Sequence, residues 1–392
     1  MGENDAETAG VGGRARMEGG EIPRVSYTDL LAAIAAFGLP NASTALPGVP
    51  LAPAQWRRLM EGTAAARLSG HLVEAIDSKA FAVTAEQARQ AAELHRKLTW
   101  RVLGLERRLL EVAGLLSALG IEMRVLKGPA LARTCYPKVS ARTFADVDVL
   151  VPADRFDEAG AALADAGCAR TLPQLREGFD RRFGKNATFV GLDGLQVDVH
   201  RTFVVGPYGL LITLEDLFAT HESFALGGRM LKALGTEEQF LNACYHAALG
   251  DVPPQLSALR DVAQMLLGAK LDVDRARRLA EAWRGTAVLA RAVALTWRTL
   301  RLSEQPPLAV WARGFTPTRW DRRLLTCYVS ANRSNSLKYL ASARVIPGTG
   351  AKLAYLRGLL LPDRAFLARR RVAYGAWWHH GAMGLLGREP KR

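Results

Sequence analysis

Residues 142–151 read "RTFADVDVLV", a run that suits a buried β-strand except for two aspartates, Asp146 and Asp148, set one residue apart. Side chains alternate along a strand, so both carboxylates point to one face, about 6–7 Å apart, while Val147, Val149 and Val151 point to the other. Two like charges on one sheet face repel unless a cation sits between them. A divalent metal ion is the obvious cation, although an Asp-x-Asp pair on a solvated strand face fits the bare pattern too.

Working outward, "IEMRVL" before this stretch reads as a strand, and Gly128 with Pro129 opens a short helix to Tyr136. Pro152 ends the Asp-x-Asp strand, and a helix runs from about Asp154 to Gly167. "NATFVGL" and "LQVDVHRTF" follow as two strands joined by Asp193-Gly194, a two-residue hairpin signal. The second of them sets Asp198 and His200 on one face, opposite Val197 and Val199.

Both flanks read as helical. On the N-terminal side "SYTDLLAAIAAFG" carries a Ser26 or Thr28 cap and a Gly38 stop. A proline-rich linker leads to a long amphipathic helix that opens on a Thr84 to Gln87 capping box and closes at Gly120. Beyond Gly235, "TEEQ", a second capping-box pattern from Thr236 to Gln239, opens another helical series that runs to the C-terminus, without internal repeats. The polar, glycine-rich residues 1–25 read as a disordered leader and not as a signal peptide.

The net charge of +14 is unevenly placed. Residues 1–259 hold 27 Lys/Arg against 30 Asp/Glu, and residues 260–392 hold 25 against 8. The basic C-terminal third would attract an anionic partner, whether nucleic acid, nucleotide, anionic lipid or acidic protein, though a solvated arginine-rich surface gives the same count. Four scattered cysteines, Cys135, Cys168, Cys244 and Cys327, suit a cytoplasmic location and show no zinc-ligand spacing. The tract "VAYGAWWHHGAMGLLG" is too short for a membrane span, so no transmembrane segment is expected.

Three features therefore converge in one module: the turn in "RVLKGPAL", the Asp-x-Asp strand, and a third aspartate on a later strand. Nucleotidyl transfer uses two metal ions about 3.5–4 Å apart that bridge carboxylates and a triphosphate. Asp146, Asp148 and Asp198 are the candidate catalytic and metal-binding residues, with two divalent metal ions expected. Lys127 and Gly128, at a helix start, and Arg142, as a two-toothed donor, are the candidate triphosphate ligands.

With these residues in place, the stretch "VLKGPALARTCYPKVSARTFADVDVLVP" followed by "VDVHR" resembles the uncharacterised nucleotidyltransferase family of the DNA-polymerase-β-like superfamily. The likeness is carried by Leu126, Lys127, Gly128, Tyr136, Pro137, Arg142, Asp146, Asp148, Asp198 and His200, and spans roughly residues 85–270. It implies an α+β fold, a small polymerase-β-like mixed sheet with flanking helices, as the nucleotidyltransferase core (105–235); the element pattern places a helical N-terminal segment before it (26–104) and a basic, mostly helical C-terminal domain after it (236–392). It also implies Mg²⁺-dependent transfer of a nucleoside monophosphate from a nucleoside triphosphate to an acceptor, with release of pyrophosphate. One departure stands out, because Pro129 follows Gly128 and supplies no N–H to a phosphate.

The acceptor is not identified by any motif; a peptide, a small molecule or a protein hydroxyl would serve. His200, His246, Arg260 and Asp261 are candidate acceptor-site residues, and satisfied polar groups of a helical interior read the same way. Two rival readings remain beside the enzyme: an inactive nucleotide-binding pseudoenzyme, and a basic scaffold for RNA or a membrane surface. His379 and His380, after Trp377 and Trp378, fit an interfacial anchor or a helix packed on the core.

Overall fold

The computed structural model describes residues 27–40, 42–268, 270–329 and 335–385; the expected leader, 1–25, and the Ser26 cap lie outside them. Four helices come first: α1 (Tyr27–Ala36), α2 (Pro53–Ala65), α3 (Ser69–Asp77) and the 34-residue α4 (Ala85–Ala118). The expected capping box is present, with Thr84 Oγ1 accepting from the Gln87 N–H at 3.2 Å and Gln87 Oε1 accepting from the Thr84 N–H at 3.1 Å. Gly120 ends the turn after α4 at φ 64°, a value glycine adopts without strain.

The sheet follows: β1 (Arg124–Leu126), α5 (Gly128–Thr134), β2 (Val147–Leu150), α6 (Phe156–Asp165), β3 (Ala169–Arg170), α7 (Phe179–Phe183), β4 (Asn186–Val190) and β5 (Gln196–His200). The strand order is β1-β2-β5-β4-β3, parallel between β2 and β5 and antiparallel elsewhere, which is the mixed sheet expected. A parallel neighbour requires a long crossover, and α6 with the β3–β4 pair provides it. Val147, Val149, Val197 and Val199 have no exposure and pack with Leu105, Leu109 and Leu116 of α4. Each contributes roughly 1.5–3 kcal/mol by burial. The β4–β5 connection is five residues and not two; the Gly191 N–H donates to the Leu195 carbonyl at 3.0 Å, and Asp193 is tied to Arg108 of α4 and to the Leu195 N–H.

Next come two one-turn helices, α8 (Pro207–Leu210) and α9 (Asp216–Ala219), then a hairpin, β6 (Ser223–Leu226) and β7 (Arg229–Lys232), turning on Gly227 and Gly228 at positive φ. The sequence reading did not include this hairpin. Its end reaches β1 through a parallel bridge between Ala233 and Val125, so the outer edge of β1 is partly covered.

Helices α10 (Thr236–Leu249), α11 (Leu256–Leu266), α12 (Val273–Ala282), α13 (Thr286–Leu300), α14 (Pro307–Gly314), α15 (Arg319–Val329), α16 (Asn335–Val345), α17 (Thr349–Leu360), α18 (Arg364–Arg370) and α19 (Tyr374–Leu385) complete the described chain. The capping box expected at Thr236 is absent: Gly235 caps α10, and Thr236 Oγ1 donates to Glu222. Gln239, the residue that would close such a box, instead donates through Nε2 to the Leu234 carbonyl at 2.9 Å.

Ile34, Leu59 and Leu72 of the N-terminal helices share one core with Phe240, Leu259 and Val288, so the two flanking helical segments form a single body. The boundary placed at 104 falls inside α4, whose first half faces that body and whose second half faces the sheet. A small third core joins Phe179 and Phe183 of α7 to Tyr355, Phe366 and Leu367 near the C-terminal end. No helix among the described residues is long and apolar enough to cross a membrane.

Candidate active site

Leaving β1, the chain turns sharply through Lys127 at φ 40°, ψ −140° and Gly128 at φ 28°. The Lys127 conformation is one that glycine tolerates and a side-chain-bearing residue rarely adopts, so the surroundings hold it there against strain. Gly128 suits the turn by its φ, and a Cβ there would press on the Phe144 ring at 3.2 Å. Pro129 occupies the first turn of α5, where helix N–H groups have no intrahelical partner. The turn aims the Lys127 side chain back at β2, where Nζ meets Asp148 Oδ2 at 3.0 Å.

Asp148 and Asp198 are direct register partners on the parallel strands β2 and β5, so their carboxylates stand side by side on one face. The other oxygen of Asp148, Oδ1, lies 2.6 Å from His200 Nε2, and His200 Nδ1 donates to the Thr202 carbonyl at 3.2 Å. His200 is 1% exposed and acts as a strut beneath Asp148, not as a surface group. Asp198 is held by Thr188 Oγ1–H at 2.5 Å and by Gln196 Nε2–H at 3.3 Å, both on Oδ1, which leaves Oδ2 without a protein donor among the described residues. Asp148, Asp198 and His200 each offer one ligand atom within 4.8 Å of one another, a grouping that could hold a metal ion. Two buried carboxylates form a hard oxygen donor set suited to a divalent cation, and the Lys127 ammonium already stands against Asp148 as a positive charge.

Asp146 precedes β2 by one residue and is half-buried. Burial raises its carboxyl, the Asp148 charge raises it further, and Lys127 and Arg67 offset part of the rise. Asp148 has the opposite balance: burial opposes its charge, yet Lys127 and His200 outweigh burial and hold it well below the usual carboxylate range.

Three further side chains bear on these acids, two of them absent from the sequence reading. Lys185, just before β4, has no hydrogen bond or ion pair among the described residues; burial, then the charge of Lys127, pulls its ammonium below the ordinary value. The guanidinium of Arg67, in the loop between α2 and α3, is likewise without a hydrogen bond there, and its charge acts on Asp146 and Lys127. His246 of α10 is the third. Burial, reinforced by Lys127, keeps its ring well below the ordinary histidine value, and its nitrogens meet no protein partner among the described residues. A lysine before a polar-apolar strand and an arginine in a distant loop carry no motif, so no local signal marks them.

Arg142, Arg260 and Asp261 stand elsewhere, in a buried network that the sequence reading had divided between phosphate and acceptor roles. Arg142 Nε and Nη2 both donate to Asp261, each at 2.8 Å, and Tyr136 Oη donates to the same carboxylate at 2.6 Å. Arg260 Nη1 donates to the carbonyls of Ala35 at 2.8 Å and Phe37 at 2.5 Å, and its guanidinium lies over the Tyr136 ring. All four are buried, with their polar groups engaged. Arg142 is therefore a clamp between the loop before β2 and α11, and neither Arg260 nor Asp261 faces an open site.

A family model described as uncharacterised nucleotidyltransferase matches residues 52–301. The chain belongs to this uncharacterised nucleotidyltransferase family. The family match extends beyond the likeness read from the motifs and takes in α2 through α13, and so Arg67, the whole sheet and His246. It ends before α14. Among solved structures, an antigenic nucleotidyltransferase-like protein from Paracoccidioides brasiliensis is similar at 15% identity and a TM-score of 0.30, over 50% of this chain and 92% of that one. No curated protein matches the chain.

Proposed function

We propose that this nucleotidyltransferase moves a nucleoside monophosphate from a nucleoside triphosphate to a hydroxyl-bearing acceptor other than a long nucleic acid, with Mg²⁺ as cofactor. The observation that carries the reading is the pairing of Asp148 with Asp198 on adjacent parallel strands, Asp146 beside them and Lys127 closing the cluster. Divalent ions at such carboxylates neutralise triphosphate oxygens and the charge that develops on the attacking and leaving oxygens. In this assignment Asp148 and Asp198 hold the metal, with the half-buried Asp146 beside them. Lys127, Lys185 and Arg67 draw the triphosphate in, and the neutral ring of His246 receives the acceptor's proton. Four unpaired cysteines support a reducing, cytoplasmic setting.

The test is incubation with each labelled nucleoside triphosphate, Mg²⁺ and host lysate. The expected result is a labelled product with pyrophosphate, lost in Asp198→Asn. Pyrophosphate release unchanged by Asp198→Asn overturns the reading. One observation favours a second reading, a nucleotide binder without turnover: both oxygens of Asp148 are already engaged by Lys127 and His200, and Pro129 removes a phosphate donor. Triphosphate binding with no pyrophosphate in Mg²⁺ or Mn²⁺ would select it.

A further inference from the structure

The C-terminal end lies outside the family match and carries an unusual surface. Leu353, Leu356 and Leu360 recur at helical spacing along one face of α17, 67%, 38% and 57% exposed, and Leu361 continues the stripe. The start of α19 is fastened beside them: Trp378 Nε1 donates to the Leu360 carbonyl at 2.7 Å, and Tyr374 Oη donates to that of Pro362 at 2.7 Å. The tandem tryptophans divide their roles. Trp377 turns inward onto Phe366, with ring centroids 5.5 Å apart, while Trp378 stays half-exposed among the leucines. Contiguous apolar surface of this kind on a soluble domain marks a contact site.

Its surroundings name the partner. Lys352, Arg357, Arg364 and Arg371 are exposed in the same segment and form no ion pair among the described residues, and Asp363, itself paired with Arg176, is the acid there. Aliphatic side chains at the centre, an indole and a phenol at the rim and cations outside are the components of an interfacial contact: leucines enter the acyl boundary and arginines meet lipid phosphates. An RNA surface would need rings free to stack on bases, whereas Trp378 is pinned by its polar atom to the last residue of α17 and Tyr374 to Pro362 just beyond it, and the leucines contribute nothing to phosphate binding. We propose that the α17–α19 end seats this protein on an anionic phospholipid surface.

The experiment is co-sedimentation of the full chain with vesicles of phosphatidylcholine alone and of phosphatidylcholine with phosphatidylglycerol, at low and high salt. The expected result is binding to the anionic vesicles, weakened by salt, and reduced about tenfold or more by L353D/L360D and by R364E/R371E. Both double variants change exposed positions, and far-ultraviolet circular dichroism identical to the parent's confirms that they fold. Brominated lipid should quench parent fluorescence more than that of Trp378→Phe. Equal binding to neutral vesicles, or unchanged binding of L353D/L360D, overturns the proposal. So does RNA binding that displaces the chain from vesicles and ignores the leucine change. Self-association abolished by L353D/L360D, without vesicle binding, also overturns it and assigns the face to a second copy.

Discussion

Asp146 and Asp148, with only Val147 between them, carry opposite thermodynamic signs. The folded-state pKa of Asp148 is depressed, so its charge stabilises the fold above the ordinary carboxylate range, and that stabilisation is lost as pH falls through the folded value. Asp146 is raised, so its charge opposes folding at neutral pH. Asp148→Asn should therefore lower stability, by roughly 3–5 kcal/mol as for other broken buried pairs, while Asp146→Asn should raise it. Thermal unfolding at neutral pH separates the two, although both should abolish transfer. His71 of α3 offers a pH test. Its ring is buried with neither nitrogen hydrogen-bonded among the described residues, and burial, then Arg260 and Arg142, hold it neutral well below the ordinary value. The unfolded chain takes up a proton below pH about 6.5 that the folded chain refuses, so stability should fall by up to about 1.4 kcal/mol per pH unit there. His71→Phe, keeping the edge contact with Tyr136, should flatten that slope in pH-dependent denaturation; an unchanged slope would place the titration elsewhere.

The acid strands were legible because a period of two leaves one meaning for Asp-x-Asp between valines and for Asp-Val-His after a hairpin. The face and the buried valines followed from it, whereas the placing of β5 beside β2 did not. The Lys127 backbone was not legible, since a non-glycine residue gives no sign of being held at positive φ. The partner of Arg142 was not legible either: Asp261 lies 119 residues away, and an arginine looks the same in sequence whether it meets phosphate or carboxylate. The clamp assignment makes its own forecast. Arg142→Lys keeps the charge but loses the two-toothed geometry, so it should cost about 2–3 kcal/mol while triphosphate affinity per folded molecule stays within twofold. Denaturant titration alongside calorimetry checks this, and a large affinity loss at full stability would return Arg142 to the phosphate site.

Across the whole molecule, three cores are joined by few devices: α4 between helical body and sheet, the Arg142–Asp261 clamp, and the aromatic contact of α7 with α17. In the last, a Cβ at Gly358 would sit 2.4 Å from the Phe179 ring. Gly358→Val should undock the C-terminal helices and open residues 361–373 to limited proteolysis, with triphosphate binding retained; loss of that binding would mean that these helices support the site. The separation of the paired acids along the chain has a consequence for synthesis. Asp148 meets Asp198 only after the crossover through α6, β3 and β4 is complete, and the clamp needs Asp261. A chain emerging from the ribosome therefore carries the Asp-x-Asp strand for some time with no partner acid and no closed cleft, and long-range pairing of this sort forms slowly. No truncated product ending before β5 can assemble the acid pair, so unfinished copies should be inert toward cellular nucleotides.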